Sequence, residues 1–238
     1  MTMATRGKMI AEGKAKRIYE TDDSELLMFY FKDDATAFNA QKKGRIESKG
    51  ILNNTISRRF FELLRENGVD NHFVDCPSER EMLVRKVEII PVETVVRNII
   101  TGSLQKRCGR PEGESLPRPI VEYFYKDDDL GDPMINDEHI LIFSWATREE
   151  LDEIHRQALA VNAVLEPFMR ERGVLLVDFK LEFGRDSSGK VLLADEICPD
   201  TCRFWDIETR KKLDKDRFRQ DMGGVEDAYQ EIARRVAG

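Results

Sequence analysis

Val177-Asp178-Phe179-Lys180-Leu181-Glu182-Phe183-Gly184, answered after a turn by Ala194-Asp195-Glu196-Ile197-Cys198-Pro199-Asp200-Thr201-Cys202-Arg203, decides the fold. Alternate residues of a strand share a face. Asp178, Lys180 and Glu182 therefore line one face, and Phe179, Leu181 and Phe183 the other. The pattern predicts a strand over 174–183, a turn at Asp186-Ser187-Ser188-Gly189 and a return strand over 191–197. Val191 and Leu193 share the face of Asp195, so this acid ends an apolar run. A register that sets Asp195 beside Glu182 brings two carboxylates and one ammonium together. Two carboxylates completed by substrate phosphates are a usual Mg²⁺ arrangement. Lys180 suits a phosphate oxygen or a substrate carboxylate. A solvated amphipathic strand has the same alternation.

Working outward, two β-prone runs near Lys16–Tyr19 and Leu26–Phe31 flank Thr21-Asp22-Asp23-Ser24 and predict a hairpin over 9–31. A helix is expected over 49–67, with Ile56, Phe60, Leu63 and Leu64 on one stripe and Asn67-Gly68 as its stop. Strands are expected over 82–90 and 92–98, parted by Pro91. The Pro-, Gly- and acid-rich stretch 109–133 reads as loop around an apolar island at 120–125. Thr147 and Glu150 form a capping-box pattern for a helix in which Leu151, Ile154, Ala158, Val161, Leu165 and Phe168 recur at helical spacing. Pro167 is expected to kink or fray its last turn and Gly173 to end it. A last helix is expected over 225–236. Hairpins and helices are segregated rather than alternating, which is an α+β pattern.

The chain has 238 residues, enough for one large domain or two small lobes. Hydrophobic content of 41% with 35% charged residues fits a packed soluble chain rather than a disordered one. A net charge of −7 argues against a duplex nucleic-acid binder, which needs a basic face. No stretch approaches the roughly 20 apolar residues of a membrane span. The start, MTMATRGKMI, lacks an apolar leader core, and the four cysteines match no common zinc spacing, so a cytoplasmic protein with reduced thiols is expected. The three histidines form no metal-binding cluster.

Two further clusters stand out. Arg97 follows an apolar strand and Thr101-Gly102-Ser103 follows it closely. A glycine between hydroxyls exposes backbone N–H groups to an anion, although a strand with an ordinary turn reads the same way. Glu12-Gly13-Lys14-Ala15-Lys16-Arg17 sets three cations about a small-residue turn that suits a polyphosphate, or a solvated basic strand. It is neither a Walker A loop nor GxGxxG.

Together these clusters resemble the SAICAR synthetase family. The matching text is GKAKRIYE at 13–20, IPVETVVRNIITGSL at 90–104, LLVDFKLEFG at 175–184, ADEICPDTCRFWD at 194–206 and DKDRFRQD at 214–221. The resemblance implies an ATP-dependent ligation of L-aspartate to carboxyaminoimidazole ribotide (CAIR). It implies a two-lobed α+β fold: an antiparallel β-rich nucleotide-binding lobe over 1–90 and a larger α+β lobe over 91–238 with the metal and ribotide sites. On this resemblance Gly13, Lys14, Ala15 and Lys16 cover the ATP phosphates, and Lys126 belongs to the nucleotide site. Glu182 and Asp195 take the positions of Mg²⁺ ligands. Arg97, Ser103, Asp200 and Arg203 match positions that hold the ribotide, with Arg97 and Ser103 as phosphate anchors. Lys180 sits where substrate carboxylate and phosphate converge, and Lys180 and Asp200 are the catalytic candidates. Asn39 stands in a loop where some members carry an acid. Members are often dimers, so a homodimer is an expectation, with no membrane partner.

A kinase-like phosphotransferase is the competing enzyme reading, but the chain has no Gly-rich kinase loop and no His-Arg-Asp catalytic loop. A nucleotide-binding module without catalysis would not need the Lys180, Glu182 and Asp195 set. Aspartate-dependent ADP release separates all three.

Overall fold

The computed structural model describes residues 4–37 and 42–237, so Asn39 lies outside the described residues. In chain order come β1 (Arg6–Glu12), β2 (Lys16–Thr21), β3 (Leu26–Phe31), β4 (Asp34–Ala37), β5 (Lys42–Arg45) and α1 (Lys49–Glu66). Then follow β6 (Phe73–Ser78), β7 (Glu81–Arg85), β8 (Glu88–Ile89), β9 (Val92–Ile99), α2 (Gly102–Cys108), β10 (Ser115–Tyr125) and β11 (Met134–Ile135). The rest is α3 (Asp137–Ile142), α4 (Arg148–Arg170), β12 (Val174–Arg185), β13 (Val191–Ala194), β14 (Cys202–Asp206), α5 (Asp216–Arg219) and α6 (Val225–Ala237).

Two large antiparallel sheets, ordered β1-β2-β3-β7-β6 and β11-β10-β9-β12-β13, and a small β4-β5 pair organise these elements. The spine of the second is β12. Its first half lies between β9 and β14, and its second half between β8 and β13. The alternation of its sequence becomes two different environments. Phe179, Leu181 and Phe183 are at most 1% exposed and join one apolar cluster with Leu151, Ile154, Ala158, Val161 and Leu165 of α4. A fully buried Phe or Leu side chain contributes about 1.5–3 kcal/mol, so this face fixes the strand. α1 buries Ile56, Phe60 and Leu64 and packs on α6 and α4. The fold is α+β.

The helix boundaries follow their local signals. Thr147 Oγ1 accepts from the Glu150 N–H while Glu150 Oε2 accepts from the Thr147 N–H, at 3.2 and 2.8 Å. α4 continues through Pro167 to Arg170 and ends before Gly173, whose φ is 71°. α1 stops at Glu66, followed by Gly68 at φ 77°.

Four expectations are revised. The hairpin over 9–31 is a three-stranded meander, because Arg6–Glu12 adds β1 before β2. The stretch expected as one strand over 82–90 divides into β7, which pairs with β3, and β8, which pairs with β12. Between them Val87 crosses Gly184 so closely that a Cβ there would lie 2.6 Å from the valine side chain. The expected loop over 109–133 contains β10, an eleven-residue strand. Pro117 and Pro119 fall between the Ser115↔Ile99 and Ile120↔Arg97 pairs, where the register shifts. A bulge there tolerates residues that lack an N–H. Finally, the return strand ends at Ala194.

The other face of β12 is polar yet withdrawn from water: Asp178 and Glu182 are each 3% exposed. A solvated strand face does not look like this, and unpaired buried carboxylates would cost several kcal/mol each. The face borders a cavity of about 660 Å³ to which both sheets contribute, Lys16 and Phe29 from the first and Arg97 and Lys180 from the second. No described helix is long and apolar enough to cross a membrane.

Candidate active site

The second sheet places the groups of one wall by alternation. Glu93, Val95 and Arg97 of β9 line the cavity, as do Asp178, Lys180 and Glu182 of β12. Pairing sets Asp178 opposite Arg97 and Lys180 opposite Val95. Lys180 Nζ donates to Glu182 Oε1 at 2.6 Å and to Glu93 Oε1 at 2.8 Å, and lies 3.9 Å from Asp195 Oδ2. Burial alone would lower this ammonium's pKa, but Glu182, Asp195 and Glu93 raise it well above the ordinary lysine value. Lys126 Nζ donates to the same Glu182 oxygen at 2.7 Å.

Asp195 reaches this group by a route that strand alternation does not contain. The register pairs Glu182 with Ala194, so a continued strand would turn Asp195 to the opposite face. Instead Asp195 adopts φ 62°, a left-handed conformation that ends the strand and redirects the side chain into the cavity. Such a conformation is costly for a non-glycine residue and persists only where its surroundings hold it. Here the Asp195 carbonyl accepts from His72 Nε2 at 3.0 Å, and its carboxylate accepts from Lys16, which also reaches Glu196. His72 is buried against Phe29 and Phe61, and burial with Lys16 nearby pushes its pKa down to about 3. It is neutral, and its Nε2 carries the donated hydrogen.

The other end of the cavity is built on two arginines. Arg97 donates from Nε to Glu122 at 2.7 Å, from Nη1 to Asp178 at 2.7 Å and from Nη2 to Ser103 Oγ at 2.9 Å. Arg203 Nη1 donates to the same Asp178 at 2.8 Å, and its Nε to Asp216 at 2.8 Å. Asp178 thus clamps both guanidiniums side by side. Gly102 has φ 56°, and a Cβ on it would sit 3.0 Å from Arg203 Nη2, so the turn before Ser103 needs glycine on both counts.

Asp200 lines the same cavity. Its Oδ2 accepts from Lys49 and from Asn53 Nδ2 at 3.1 Å, its Oδ1 from Tyr229 at 2.7 Å, and Lys215 lies 3.6 Å away. Burial would raise this carboxyl, but Lys215 and Lys49 outweigh it and hold the pKa well below the ordinary aspartate range. Gly13, Lys14, Ala15 and Lys16 line the same cavity from the β1–β2 turn, with Lys14 Nζ 2.6 Å from Asp128. All the candidate residues except Ser103 border the one cavity, and Ser103 touches it through Arg97. Sequence reasoning gave no role to Asp178, Lys49, Glu196 or His72. The strand alternation already placed Asp178 with Lys180, whereas Lys49 carries no signal beyond opening a helix.

The sequence profile of the SAICAR synthetase family matches residues 9–236. The chain belongs to the SAICAR synthetase family. It is 56% identical over 228 residues to the phosphoribosylaminoimidazole-succinocarboxamide synthase of Coprothermobacter proteolyticus, covering 96% of this chain and 97% of that one. The fold is similar to the synthase of Ehrlichia chaffeensis at a TM-score of 0.94 and 45% identity, over 97% of this chain and 98% of the other. It is similar also to a SAICAR synthetase solved in complex with ADP, at a TM-score of 0.93 and 49% identity, over 96% and 97% of the two chains. The SAICAR synthetase reaction is the ATP-dependent ligation of CAIR to L-aspartate in purine biosynthesis, and this chain is an enzyme of that reaction.

Proposed function

We propose that the cavity carries out the ligation by first phosphorylating the ribotide carboxylate. A carboxylate resists a nucleophile, because its charge repels the attack and oxide does not leave. Transfer of the γ-phosphoryl group to a carboxylate oxygen gives an acyl phosphate. Attack by the aspartate amine then forms the amide bond, breaks the C–O bond to phosphate and passes the amine proton to the departing phosphate. The first step brings two anions together, so charge must be neutralised where they meet. The convergence of Lys16, Lys126 and Lys180 on Glu182 and Asp195 is the observation that carries this reading.

Mg²⁺ fits these residues. Glu182 and Asp195 both lie within reach of one ammonium, and no cluster of three or more His, Cys, Asp or Glu residues among the described ones would hold a metal by itself. Two carboxylates completed by nucleotide phosphates suit Mg²⁺, which keeps few protein ligands. When bound there it would offset phosphate charge. Gly13, Lys14, Ala15, Lys16 and Lys126 hold the nucleotide in this proposal, which the ADP complex of the similar synthetase supports. Arg97, Ser103 and Arg203 anchor the ribotide phosphate. Asp200, already hydrogen-bonded on both oxygens, holds Lys49, Asn53 and Tyr229 in the cavity wall instead of acting as a base. The division into lobes 1–90 and 91–238 belongs to the same proposal, supported by sheets that draw their strands from 6–85 and 88–206. The purine-biosynthetic reaction supports a cytoplasmic location.

The intermediate has a direct test. With ¹⁸O in the ribotide carboxylate, turnover should place one labelled oxygen in each product phosphate. Unlabelled phosphate would rule out carboxylate phosphorylation.

A further inference from the structure

The cavity contains a cation that the nucleotide and ribotide assignments leave unused. Lys14, Lys16, Lys126 and Lys180 stand toward the acidic end, and Arg97 and Arg203 beside Ser103. Of the other lining cations, Arg85 donates to the Asn71 carbonyl and Arg219 Nη1 to Asp216 at 2.6 Å. Lys215 differs from all of them. Its ammonium lies 3.6 Å from Asp200 Oδ1, an oxygen that already accepts from Tyr229 at 2.7 Å. The Lys215 side chain is only 13% exposed. Burial and the neighbouring Lys49 and Arg219 lower its pKa despite Asp200, so its charge is incompletely compensated.

Its position is as informative as its charge. The segment 195–203 contributes Asp195, Glu196, Asp200, Thr201, Cys202 and Arg203 to the cavity lining. Lys215 is tied to the middle of this segment, with its backbone N–H donating to the Pro199 carbonyl at 3.1 Å. Lys215 is thus held on the stretch of chain that links Asp195, assigned to phosphoryl transfer, to Arg203, assigned to the ribotide phosphate. L-Aspartate brings two carboxylates and needs a cation. Holding it by a carboxylate leaves the amine unengaged for attack.

We propose that Lys215 anchors a carboxylate of L-aspartate and is the residue that distinguishes the amino-acid subsite from the ribotide subsite. The assignment rests on the ligase reading above. Steady-state kinetics of Lys215→Gln and Lys215→Met, each substrate varied in turn, test it. The aspartate KM should rise at least about tenfold, the scale of a lost charge-assisted contact, while the ribotide and ATP KM values stay within about twofold. Lys215→Arg keeps the charge but moves it, and should shift the aspartate KM less than the neutral variants and the other two not at all. It serves the same test if the neutral variants do not fold. An unmoved aspartate KM, or a ribotide KM that rises in parallel, overturns the assignment. The wild-type enzyme assayed beside them keeps the two readings apart. No aspartate-dependent ADP there defeats the ligase reading, whereas an active wild type with an unmoved aspartate KM in the variants defeats only the role of Lys215.

Discussion

Glu182→Gln removes one negative charge that two lysines share, and the outcome can be worked from the distances. Glu182 Oε1 accepts from Lys180 at 2.6 Å and from Lys126 at 2.7 Å, and the Glu182 side chain is 4% exposed. At an effective dielectric near 20, each contact is worth about 6 kcal/mol of gross attraction. The Lys126 side chain is 42% exposed, so its share is heavily screened. Desolvation of the carboxylate takes back several kcal/mol more. What the variant loses is compensation: two ammonium groups are left facing a neutral amide. We expect a loss of about 3 kcal/mol in unfolding free energy, at the lower end for breaking a buried pair. In urea the midpoint should fall by about 1 M or more. The pH dependence has a definite sign. Against burial, Glu182 raises the pKa of both Lys180 and Lys126 above 10.5. That stabilisation is fully present below the ordinary lysine value and is lost as pH rises through the raised ones. The gap between wild type and variant should therefore be flat from about pH 6 to 9 and narrow only in strong alkali. Turnover should fall at least about a hundredfold, the scale of a lost electrostatic stabiliser. A variant as stable as the wild type, with near-normal kcat, would refute the reasoning.

Three further outcomes are expected. Arg97→Ala should raise the ribotide KM about tenfold or more, and use of the unphosphorylated nucleoside should fall far less; equal losses for both would take Arg97 away from the phosphate. Lys16→Ala should impair ATP use more than aspartate use in initial-rate kinetics, and normal ATP KM and kcat would return the β1–β2 turn to a surface role. In Asp200→Asn a stability deficit should be present at pH 7. Lys215 and Lys49 hold this carboxyl below its ordinary value of 3.8, so the stabilisation exists above that value and is lost as pH falls through the depressed one. Urea unfolding at pH 7 and pH 3 should show the deficit shrinking, and a deficit that does not change would contradict the pairing.

Much of the fold was legible because β12 writes its two faces in strict alternation, and because α4 announces its start with Thr147 and Glu150. The β10 strand was hidden by Pro117 and Pro119, whose cost is avoided only because the ladder shifts register where they fall. The site was legible in composition but not in geometry. Asp195 was expected beside Glu182 through strand register, yet it arrives through a left-handed turn after the strand has ended, which no periodicity encodes. Lys49 is wholly buried opposite Asp200 on a helix whose stripe reading counts only apolar residues. Lys215 meets the Pro199 carbonyl with its backbone N–H and Asp200 with its ammonium, contacts between segments whose sequences carry no sign of each other.

Coupling of ATP cleavage to both other substrates is what separates a ligase from a phosphotransferase, and one measurement tests it directly. Purified enzyme is supplied with MgATP and CAIR, with and without L-aspartate, and ADP and the succinocarboxamide product are both quantified. Sustained ADP release should require aspartate, and ADP and product should form one to one. Sustained ADP release at the same rate without aspartate, or no ADP with all three substrates present, would contradict that coupling.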